Sequence, residues 1–392
     1  MIPTLPRITL ARGKARPLWA GHPWVYSGAI QSAEAAPPGS LVDVFDDGGA
    51  HVGVGTWHGG ARIAVRMLGR ELPDGGLQAL IRERVATARR LRARFGLPSE
   101  ATTAYRLLNG EGDGLPGVLC DVLGDLAAVQ VTTVAAESWI PDVLDAVGLP
   151  RAHVSVPDDA ARMEGLDPGD RLGRGDLEEH AVFRENGITW TLKPGRGQKT
   201  GFYADQRENR RAVGPLAAGG TMLDAFCYTG GFGLNAARAG AREVVGVDSS
   251  GPAVSVAAGT AKANGIDCAT FHKEDVMRFL RGLGERTFDV VVLDPPKLAR
   301  SRDALDDAYL KYRAFNVEGL RHVSPGGFLV SCSCSGLVSE ELFLRMLTDA
   351  AHLAERRLTV HWTAGAGPDH PIPAAFPEGR YLKVVVASVG AP

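Results

Sequence analysis

The fold of this chain follows from one stretch, Leu223-Asp-Ala-Phe-Cys-Tyr-Thr-Gly-Gly-Phe-Gly233. A short apolar run leads into it at 221–223, and a run rich in helix formers that ends on glycine leads out of it at 234–240. This pattern predicts a strand, a glycine turn and a helix, an arrangement with which open α/β sheets bind ligands. Asp224 would repel a pyrophosphate but attract an ammonium group. The stretch therefore favours S-adenosylmethionine, which carries an amino acid, over NAD.

Downstream of this stretch the sequence alternates between strand-like and helix-like runs. Strands are predicted at 221–225, 243–248, 270–272, 288–294 and 327–334. Helices are predicted at 232–239, 252–264, 275–283, 303–322 and 339–355. Alternation of this kind indicates an α/β domain with a parallel, doubly wound sheet.

Two acidic residues follow the next strands of this sheet. Asp248 ends its strand at a place where nucleotide-binding α/β folds use an acid to accept hydrogen bonds from ribose hydroxyls. Asp275 is a candidate to bond an adenine amino group. The alternative is that it caps the helix that starts at Val276, and one side chain could do both. The first loop reads Thr229-Gly-Gly-Phe-Gly233 and lacks the order G-x-G-x-x-G, which weakens the case for a nicotinamide oxidoreductase.

The tetrad Asp294-Pro-Pro-Lys297 comes directly after a buried strand. Two prolines fix the backbone there, so that Asp294 and the Pro295 carbonyl would face a substrate rigidly. Tetrads of this type are typical of enzymes that methylate planar amino-bearing bases, and the alternative is a plain turn. The tetrad therefore predicts a base-binding site on the same sheet edge as Asp224.

The last predicted strand carries Phe328-Leu-Val-Ser-Cys-Ser-Cys-Ser-Gly336. Because side chains alternate along a strand, Cys332 and Cys334 share one face, while the serines 331, 333 and 335 share the other. A buried structural cysteine is the usual alternative, but Cys334 lies where the strand ends, on the edge that carries the aspartates. This position favours a nucleophile, although periodicity does not choose between the two thiols.

The first 72 residues contain three short β-branched runs, at 39–45, 50–55 and 62–68, separated by glycine and aspartate turns. A cluster near the N-terminus interleaves cations with aromatic residues, which suits phosphate contacts and base stacking. Its members are Arg12, Lys14, Arg16, His22 and Trp24. The alternative is that the aromatic residues are core and the cations form a solvated face.

Residues 78–95 predict a helix with one buried face, formed by Leu80, Ile81, Val85, Ala88, Leu91 and Phe95. The other face carries arginine at positions 82, 84, 89, 90, 92 and 94 and is either solvated or follows a phosphate backbone. Residues 104–192 then alternate strand-like runs with glycine turns, which predicts a small α+β region.

The composition excludes several classes of protein. Of 392 residues, 45% are hydrophobic and 22% are charged, which fits a globular protein, and no apolar run reaches the length of a membrane helix. The chain has five cysteines, an odd number, and no signal-peptide segment, which indicates free thiols in a reducing cytoplasm. The spacing of these cysteines does not match that of a zinc site, so no metal is predicted. A net charge of -2 means that any basic surface is local.

Several motifs together resemble the RlmI-like 23S rRNA cytosine-5 methyltransferases, and the resemblance covers nearly the whole chain. The motifs are Arg12-Gly13, His22-Pro-Trp-Val-Tyr-Ser-Gly28, Gly110-Glu-Gly-Asp-Gly-Leu-Pro-Gly117, Lys199-Thr-Gly-Phe-Tyr-Ala-Asp-Gln-Arg207, Phe226-Cys-Tyr-Thr-Gly-Gly-Phe232, Asp294-Pro-Pro-Lys297, Ser333-Cys-Ser-Gly336 and Asp369-His-Pro371. The resemblance implies an α/β protein with three parts. These are a β-rich PUA-like RNA-binding domain (1–72), a central α+β linking domain (73–192) and a Rossmann-like class I methyltransferase domain (193–392).

The resemblance also implies roles for individual residues. Cys334 would attack the base, Asp294 would hold the cytosine, and Lys297 stands where better-known RNA cytosine-5 enzymes place a second cysteine. The residues expected to bind S-adenosylmethionine are Thr200, Gly201, Tyr203, Gln206, Asp224, Phe226, Tyr228, Thr229, Gly230, Gly231, Asp248, Ser249, Asp275, Val276 and Asp294. The expected partner is 23S rRNA or a precursor of the large ribosomal subunit, with no membrane and no metal; a homodimer stays open.

Two other functions compete with this one. A base N-methyltransferase acting on rRNA adenine or guanine would need only the tetrad at Asp294 and no thiol. A non-catalytic RNA-binding assembly factor would keep the loop at Asp224 without using a cofactor.

Overall fold

The computed structural model describes residues 5–195, 202–299 and 301–391. They fall into two units, each with its own core. The first comprises 1–183, 192–204 and 368–379, and the second comprises 184–191, 205–367 and 380–392. The division into three domains at residues 72 and 192 stays a prediction.

The N-terminal part of the first unit is a six-stranded sheet. Its elements are β1 (Arg7–Leu10), α1 (Arg16–Trp19), β2 (Trp24–Tyr26), β3 (Ile30–Ala33), β4 (Leu41–Phe45), β5 (His51–Trp57) and β6 (Ile63–Gly69). The strand order is β2-β6-β5-β4-β1-β3. In β4 the buried side chains Val42 and Val44 alternate with partly exposed ones, as expected of a sheet with one face on a core. The three strands predicted from the sequence are confirmed as β4, β5 and β6.

The rest of the first unit places helices against a five-stranded sheet. The elements are α2 (Gly76–Arg94), β7 (Ala104–Asn109), β8 (Val118–Leu123), β9 (Leu126–Val131), α3 (Val134–Ser138), α4 (Ile140–Val147), β10 (Arg151–Val156), α5 (Asp158–Glu164) and β11 (Gly169–Arg174). The strand order is β11-β10-β9-β8-β7. The chain then forms a two-stranded hairpin of β12 (Ala181–Glu185) and β13 (Ile188–Leu192), of which residues 184–191 belong to the second unit.

The predicted helix at 78–95 is confirmed as α2, but its predicted buried face is wrong at the C-terminal end. Leu91 and Phe95 are 45% and 55% exposed, whereas Arg92 is buried. The Arg92 guanidinium donates two hydrogen bonds to the Asp113 carboxylate, at 2.6 and 2.7 Å, and a third to the Asp369 carbonyl at 2.8 Å. This ion pair turns Arg92 inward and leaves Leu91 and Phe95 outside.

The second unit is built on a seven-stranded sheet. In chain order it contains α6 (Arg207–Val213), β14 (Thr221–Ala225), α7 (Gly231–Arg238), β15 (Glu243–Asp248), α8 (Gly251–Ala263), β16 (Ala269–Lys273), α9 (Val276–Gly282), β17 (Phe288–Leu293), α10 (Leu305–Arg321), β18 (Val323–Ser333), α11 (Glu340–Leu353), β19 (Arg357–Ala364) and β20 (Lys383–Gly390). The strand order is β16-β15-β14-β17-β18-β20-β19.

The predicted parallel sheet is confirmed for five strands, β14 to β18, and each predicted helix of this region is present. The last two strands were not predicted: β20 runs antiparallel to β18, and β19 runs antiparallel to β20. A parallel pair of strands needs a long crossover connection, usually a helix. Between β19 and β20 the described chain has only one short 3-10 turn, Pro377–Gly379, which fits their antiparallel pairing.

Two apolar layers cover this sheet because successive side chains of a buried strand point to opposite faces. Leu223 packs with α9, α10 and α11 in one layer, and Met222 packs with α6 and α7 in the other. The strand order reverses between β14 and β17, which makes the carboxyl ends of these two strands the switch point where such sheets bind ligands. None of the helices in the described ranges has the length and apolar character that crossing a bilayer requires.

Candidate active site

Four of the predicted site residues lie along one edge of the seven-stranded sheet. Asp224 is the penultimate residue of β14, Asp248 ends β15, Asp294 follows β17 and Cys334 follows β18. These strands are parallel and form adjacent pairs, so their carboxyl ends meet at the same edge. The topology thus brings together the residues that the sequence predicted for cofactor, base and nucleophile.

The loop after β14 is held in an unusual conformation. Phe226 and Tyr228 have φ angles of 64° and 49°, in the left-handed region that non-glycine residues enter at a cost of about 1–3 kcal/mol each. The Tyr228 amide donates to Asp248 Oδ2 at 2.9 Å, and the Cys227 amide donates to the Val247 carbonyl at 3.0 Å. Asp248 Oδ1 accepts from the Ser250 amide at 2.8 Å. Asp248 therefore fixes the loop through both of its carboxylate oxygens.

Asp224 is a buried carboxylate with one unused oxygen. Its Oδ2 accepts a hydrogen bond from the Gly233 amide at 2.8 Å, whereas its Oδ1 has no hydrogen-bond partner among the described residues. Burial raises the pKa of Asp224 to about 7, the Gly233 amide opposes this rise, and the nearby Asp294 and Asp248 carboxylates add to it. A buried acceptor without a donor fits the ammonium group of S-adenosylmethionine.

The glycines of the loop are required by the protein's own packing. Gly230 has a φ of 82°, and a Cβ there would lie 2.8 Å from the Phe271 ring. A Cβ on Gly231 would overlap the Arg210 guanidinium, which is buried and bonded to Glu185 at 2.9 and 3.0 Å. Because neither glycine has a Cβ, the Phe271 ring and the Arg210 guanidinium can pack directly against the loop.

Gln206 orients Asp294. Its Nε2 donates to Asp294 Oδ2 at 3.0 Å, and its Oε1 accepts from Asn209 Nδ2 at 2.7 Å. Asn209 Nδ2 also donates to the Gly365 carbonyl at 3.0 Å, and Gln206 itself is buried. Tyr203 is partly exposed and belongs to segment 192–204 of the first unit, while Thr200 and Gly201 lie outside the described residues.

Burial distinguishes the two thiols that the strand pattern left equivalent. Cys332 is fully buried, and desolvation, followed by the negative charge of Asp294, raises its pKa well above the usual value. Cys334 is partly exposed and packs at the margin of the same apolar layer, which confirms that the two share a face. Because thiolates are the nucleophilic form and need some access to solvent, Cys334 is the better placed of the two.

The serines on the other face tie the Cys334 strand to the tetrad. Ser335 Oγ accepts hydrogen bonds from the amides of Leu298 and Ala299, both at 3.2 Å. The Tyr312 hydroxyl lies 3.0 Å from the hydroxyls of both Ser333 and Ser335. This network fixes the segment after Asp294 relative to Cys334. Lys297, within that segment, has an exposed side chain.

Sequence reasoning missed Lys383, which lies beside this network. Its Nζ donates to the Ser335 carbonyl at 2.6 Å and to the Tyr381 carbonyl at 2.8 Å. Burial lowers the pKa of Lys383 to about 8, while the charges of Cys334 and Glu340 act to raise it. The β-branched run Lys383-Val-Val-Val386 could have predicted the strand, but not that a lysine would be buried at its start.

The remaining predicted cofactor residues have different surroundings. Asp275 is exposed and caps α9, since its Oδ1 accepts from the Arg278 amide at 2.9 Å. Val276 is buried in the apolar layer, so only its backbone is left for a ligand. Ser249 is exposed and Thr229 is buried. The Phe226 ring packs edge-on against Phe315, with ring centroids 4.9 Å apart.

The predicted RNA-binding cluster divides into two groups. The side chains of Arg12, Lys14 and Arg16 are exposed. His22 and Trp24 instead pack within the first unit: the ring centroids of Trp24 and Phe376 are 4.5 Å apart, and Trp24 Nε1 donates to Glu111 at 2.8 Å. His22 Nε2 lies 3.4 Å from the Glu378 carboxylate. These contacts give the two aromatic side chains a structural role.

The described ranges contain no group of three or more His, Cys, Asp or Glu side chains placed to hold a metal ion. None of the five cysteines, all of which lie within those ranges, forms a disulfide.

Comparison with known proteins gives consistent results for both halves of the chain. A sequence profile for PUA-like domains matches residues 8–70, and one for S-adenosylmethionine-dependent methyltransferases matches residues 160–360. The ribosomal RNA large subunit methyltransferase I of Shewanella denitrificans is 36% identical over 98% of this chain and 99% of its own length. The protein of the same name from Aeromonas salmonicida is 35% identical over 97% of this chain and 98% of its own length.

Solved structures share the fold. The methyltransferase SMU.776, crystallised with S-adenosylhomocysteine, superposes with a TM-score of 0.84 at 20% identity, over 97% of this chain and 99% of its own. A SAM-dependent methyltransferase from Streptococcus mutans gives a TM-score of 0.81 at 19% identity over the same shares. The predicted architecture, a PUA-like domain followed by a Rossmann-like methyltransferase fold, is confirmed.

Proposed function

The chain belongs to the ribosomal RNA large subunit methyltransferase I family of S-adenosylmethionine-dependent methyltransferases, and from that premise we propose that it methylates C5 of a cytosine in 23S rRNA through Cys334. One observation carries the choice of chemistry. The thiol of Cys334 is partly exposed and directly follows β18, the strand that pairs with β17, after which Asp294 lies. The neighbouring thiol of Cys332 is fully buried. A base N-methyltransferase would need no thiol at this place.

Cys334 acts first in the proposed reaction. Cytosine C5 is a poor nucleophile until a thiolate adds to C6, so Cys334 Sγ forms a bond to C6 and makes C5 electron-rich. When bound, S-adenosylmethionine would supply the methyl group carried on its sulfonium sulfur: a C5–CH3 bond would form as the S–CH3 bond breaks, leaving S-adenosylhomocysteine. Loss of the C5 proton then restores the ring double bond, breaks the Sγ–C6 bond and returns Cys334 as a thiolate.

Asp294 holds the base during this sequence. Its carboxyl group would hydrogen-bond the N3/N4 edge of cytosine and stabilise the adduct, and the hydrogen bond from Gln206 fixes its orientation. The prolines that follow restrict the backbone at this point. Lys297, the exposed last residue of the tetrad, is proposed as a further catalytic residue of the same site.

The cofactor would be held by the loop and by the ends of the neighbouring strands. Asp224 Oδ1 would accept from the ammonium group, Asp248 would contact the ribose, and Asp275 with the Val276 backbone would lie at the adenine. Gln206, Phe226, Tyr228, Thr229, Gly230, Gly231 and Ser249 complete the proposed set, together with Thr200, Gly201 and Tyr203. The unused oxygen of Asp224 is the structural support for this assignment.

RNA contact is proposed for the exposed cations Arg12, Lys14 and Arg16. Trp19 is 45% exposed on the adjoining helix, and the Arg70 guanidinium lies 5.3 Å from the centroid of its ring. Cations next to an exposed aromatic ring suit single-stranded or looped RNA. Naked 23S rRNA and a subunit precursor are both compatible with this surface.

Identification of the product tests the proposal. The protein is incubated with S-adenosylmethionine and 23S rRNA from cells that lack the gene, and the RNA is digested and analysed by nucleoside mass spectrometry. We expect 5-methylcytidine. A methylated adenosine or guanosine would establish the N-methyltransferase instead, and no methylation together with no calorimetric binding of S-adenosylmethionine would support the assembly factor.

A further inference from the structure

The turn that joins β12 to β13 packs against the helices beside the loop after β14, residues 226–231, which is called the cofactor loop below. The two residues of the turn, Asn186 and Gly187, have φ angles of 52° and 78°, both positive as a tight two-residue hairpin turn requires. Residues 184–191 belong to the second unit, so the turn and the cofactor loop lie in the same unit. The reaction described so far gives this turn no role.

The side chain of Asn186 starts a chain of hydrogen bonds that ends on the cofactor loop. Its Nδ2 donates to Asn235 Oδ1 at 2.9 Å, and Asn235 Nδ2 donates to the Gly231 carbonyl at 2.8 Å. Asn235 is buried on α7, and Gly231 is the first residue of that helix. Asn186 Nδ2 also donates to the carbonyl of Arg207, the first residue of α6, at 3.3 Å. The turn is therefore tied to the start of both helices.

The residue before Asn186 leads to the same glycine by a different route. Glu185 is fully buried, and its carboxylate accepts two hydrogen bonds from Arg210 Nη1, at 2.9 and 3.0 Å. The Arg210 side chain packs so closely on Gly231 that a Cβ there would overlap the guanidinium. Two consecutive residues at the tip of the hairpin thus act, through separate contacts, on the carbonyl and the Cα of one residue of the cofactor loop.

Gly231 lies where the cofactor loop passes into α7. It follows Gly230, the N-cap residue, whose φ of 82° turns the chain into the helix. Two residues later, the Gly233 amide donates to Asp224 Oδ2 at 2.8 Å and so orients the carboxylate that is proposed to meet the ammonium group. A shift of Gly231 would therefore move both the loop and the donor that orients Asp224.

We propose that Glu185 and Asn186 are positioning residues that, through Arg210 and Asn235, hold the cofactor loop in its binding conformation before S-adenosylmethionine binds. The loop contains two non-glycine residues with left-handed φ angles, and such a conformation persists only where surrounding contacts enforce it. When a binding conformation is occupied only part of the time, the apparent affinity for the ligand falls in proportion. This inference rests on the proposed function, in which this loop holds the cofactor.

Calorimetric titration of the protein with S-adenosylhomocysteine tests the route through Asn186. Asn186→Gly deletes the side chain but suits the positive φ, so the turn keeps its backbone. We expect the affinity to fall about tenfold, as for a loop that is competent in about one molecule in ten. Asn235→Ala should give a similar loss, and the double variant should lose no more than either single variant, because both residues belong to one chain of hydrogen bonds.

Asn264→Ala is the matched control, because it removes contacts of the same hairpin with a different helix. Asn264 Oδ1 accepts from the Thr189 amide and Asn264 Nδ2 donates to the Thr189 carbonyl, both at 2.8 Å, at the C-terminal end of α8. Urea denaturation should show that Asn186→Gly and Asn264→Ala both lower the free energy of unfolding. At a temperature where circular dichroism shows both variants folded, only Asn186→Gly should lose affinity for S-adenosylhomocysteine.

A further variant tests the route through Glu185. Arg210→Lys keeps a positive charge for the buried Glu185 carboxylate but lacks the planar guanidinium that packs on Gly231. Its affinity for S-adenosylhomocysteine should also fall about tenfold, for the same reason.

An unchanged affinity in folded Asn186→Gly or Arg210→Lys would overturn the inference, as would an equal loss in Asn264→Ala. If these results accompany 5-methylcytidine as the rRNA product, the inference falls and the proposed function stands. A loss confined to Asn186→Gly, Asn235→Ala and Arg210→Lys, together with a methylated adenosine or guanosine as the product, would contradict the proposed function and leave the inference standing. If the native protein does not bind S-adenosylhomocysteine, both fall.

Discussion

Gln206 Nε2 donates a hydrogen bond to Asp294 Oδ2 at 3.0 Å, and Gln206 is itself held by Asn209. This chain of side chains gives Asp294 a fixed orientation at the edge of the sheet. Removing the donor leaves the carboxylate able to rotate away from the base. Gln206→Leu should therefore lower kcat for methyl transfer by about 10- to 100-fold, the range typical of impaired positioning, and should also weaken affinity for S-adenosylhomocysteine, because Gln206 belongs to the proposed cofactor set.

Steady-state kinetics and calorimetry measure these two quantities. Gln78→Leu, at an exposed glutamine in the first unit, serves as the matched control and should behave as the native protein. An unchanged kcat in Gln206→Leu would show that Asp294 does not depend on this hydrogen bond.

The raised pKa of Asp224 makes cofactor binding depend on pH. Burial raises that pKa to about 7, so at pH 6 most molecules carry a neutral Asp224 that attracts an ammonium group only weakly. Affinity for S-adenosylhomocysteine should rise by roughly tenfold or slightly less from pH 6 to 7.5, with release of a proton on binding at the lower pH. Calorimetry in buffers of different ionisation enthalpy measures both.

Asp224→Asn supplies the control for this prediction, because the amide cannot ionise. Its affinity should be lower at pH 7.5 and nearly constant across the range. The raised pKa of Asp224 also makes the stability of the protein depend on pH. Asp224 ionises near pH 4 in the unfolded chain and near pH 7 in the folded protein. The free energy of unfolding of the cofactor-free protein should therefore fall as the pH rises from 4 to 7. An affinity that does not change with pH in the native protein would contradict the role of Asp224.

The buried ion pair between Arg92 and Asp113 predicts an asymmetric effect of mutation along α2. Arg92→Leu would leave the Asp113 carboxylate buried without its partner, which should lower the free energy of unfolding by about 3–5 kcal/mol. Arg94→Leu on the same helix, where the side chain is exposed, should change it by less than about 0.5 kcal/mol. Urea denaturation followed by circular dichroism compares the two variants, and equal effects would refute the assigned structural role.

The exposed cations of the first unit predict salt-dependent RNA binding. The double variant Arg12→Glu, Lys14→Glu should weaken binding to 23S rRNA fragments and reduce the slope of log affinity against log salt by about one for each phosphate that is no longer neutralised. Lys262→Glu, at an exposed lysine of the second unit, should leave the slope unchanged. Filter binding at several salt concentrations measures it, and equal slopes for both variants would remove the RNA-binding role from this surface.

Local patterns in the sequence predicted much of the site. The period of two in β18 placed Cys332 and Cys334 on one face and Ser333 and Ser335 on the other, and the structure confirms this through the apolar layer and Tyr312. The same pattern could not rank the thiols, because exposure at the end of a strand depends on packing contributed by other elements.

Pairing between distant residues accounts for what the sequence did not predict. Lys383 pairs with Ser333, which lies far from it along the chain, so no local window of sequence connects the two residues. The sequence pattern assigns Arg92 to a charged arginine face, because its buried partner Asp113 lies outside the helix. Asp248 is predicted at the ribose, and its hydrogen bonds to the amides of Tyr228 and Ser250 arise only in the folded loop.

The central claim is that Cys334 forms the covalent bond to the base, and a trapped adduct tests it most directly. A 23S rRNA fragment carrying 5-fluorocytidine at the target cannot lose a proton from C5, so the Sγ–C6 bond should persist and the complex should survive denaturing electrophoresis. With S-adenosylmethionine present, the native protein and Cys332→Ala are predicted to give this adduct, and Cys334→Ala is predicted to give none. An adduct with Cys334→Ala, or its absence with the native protein when the RNA is methylated normally, would contradict the account.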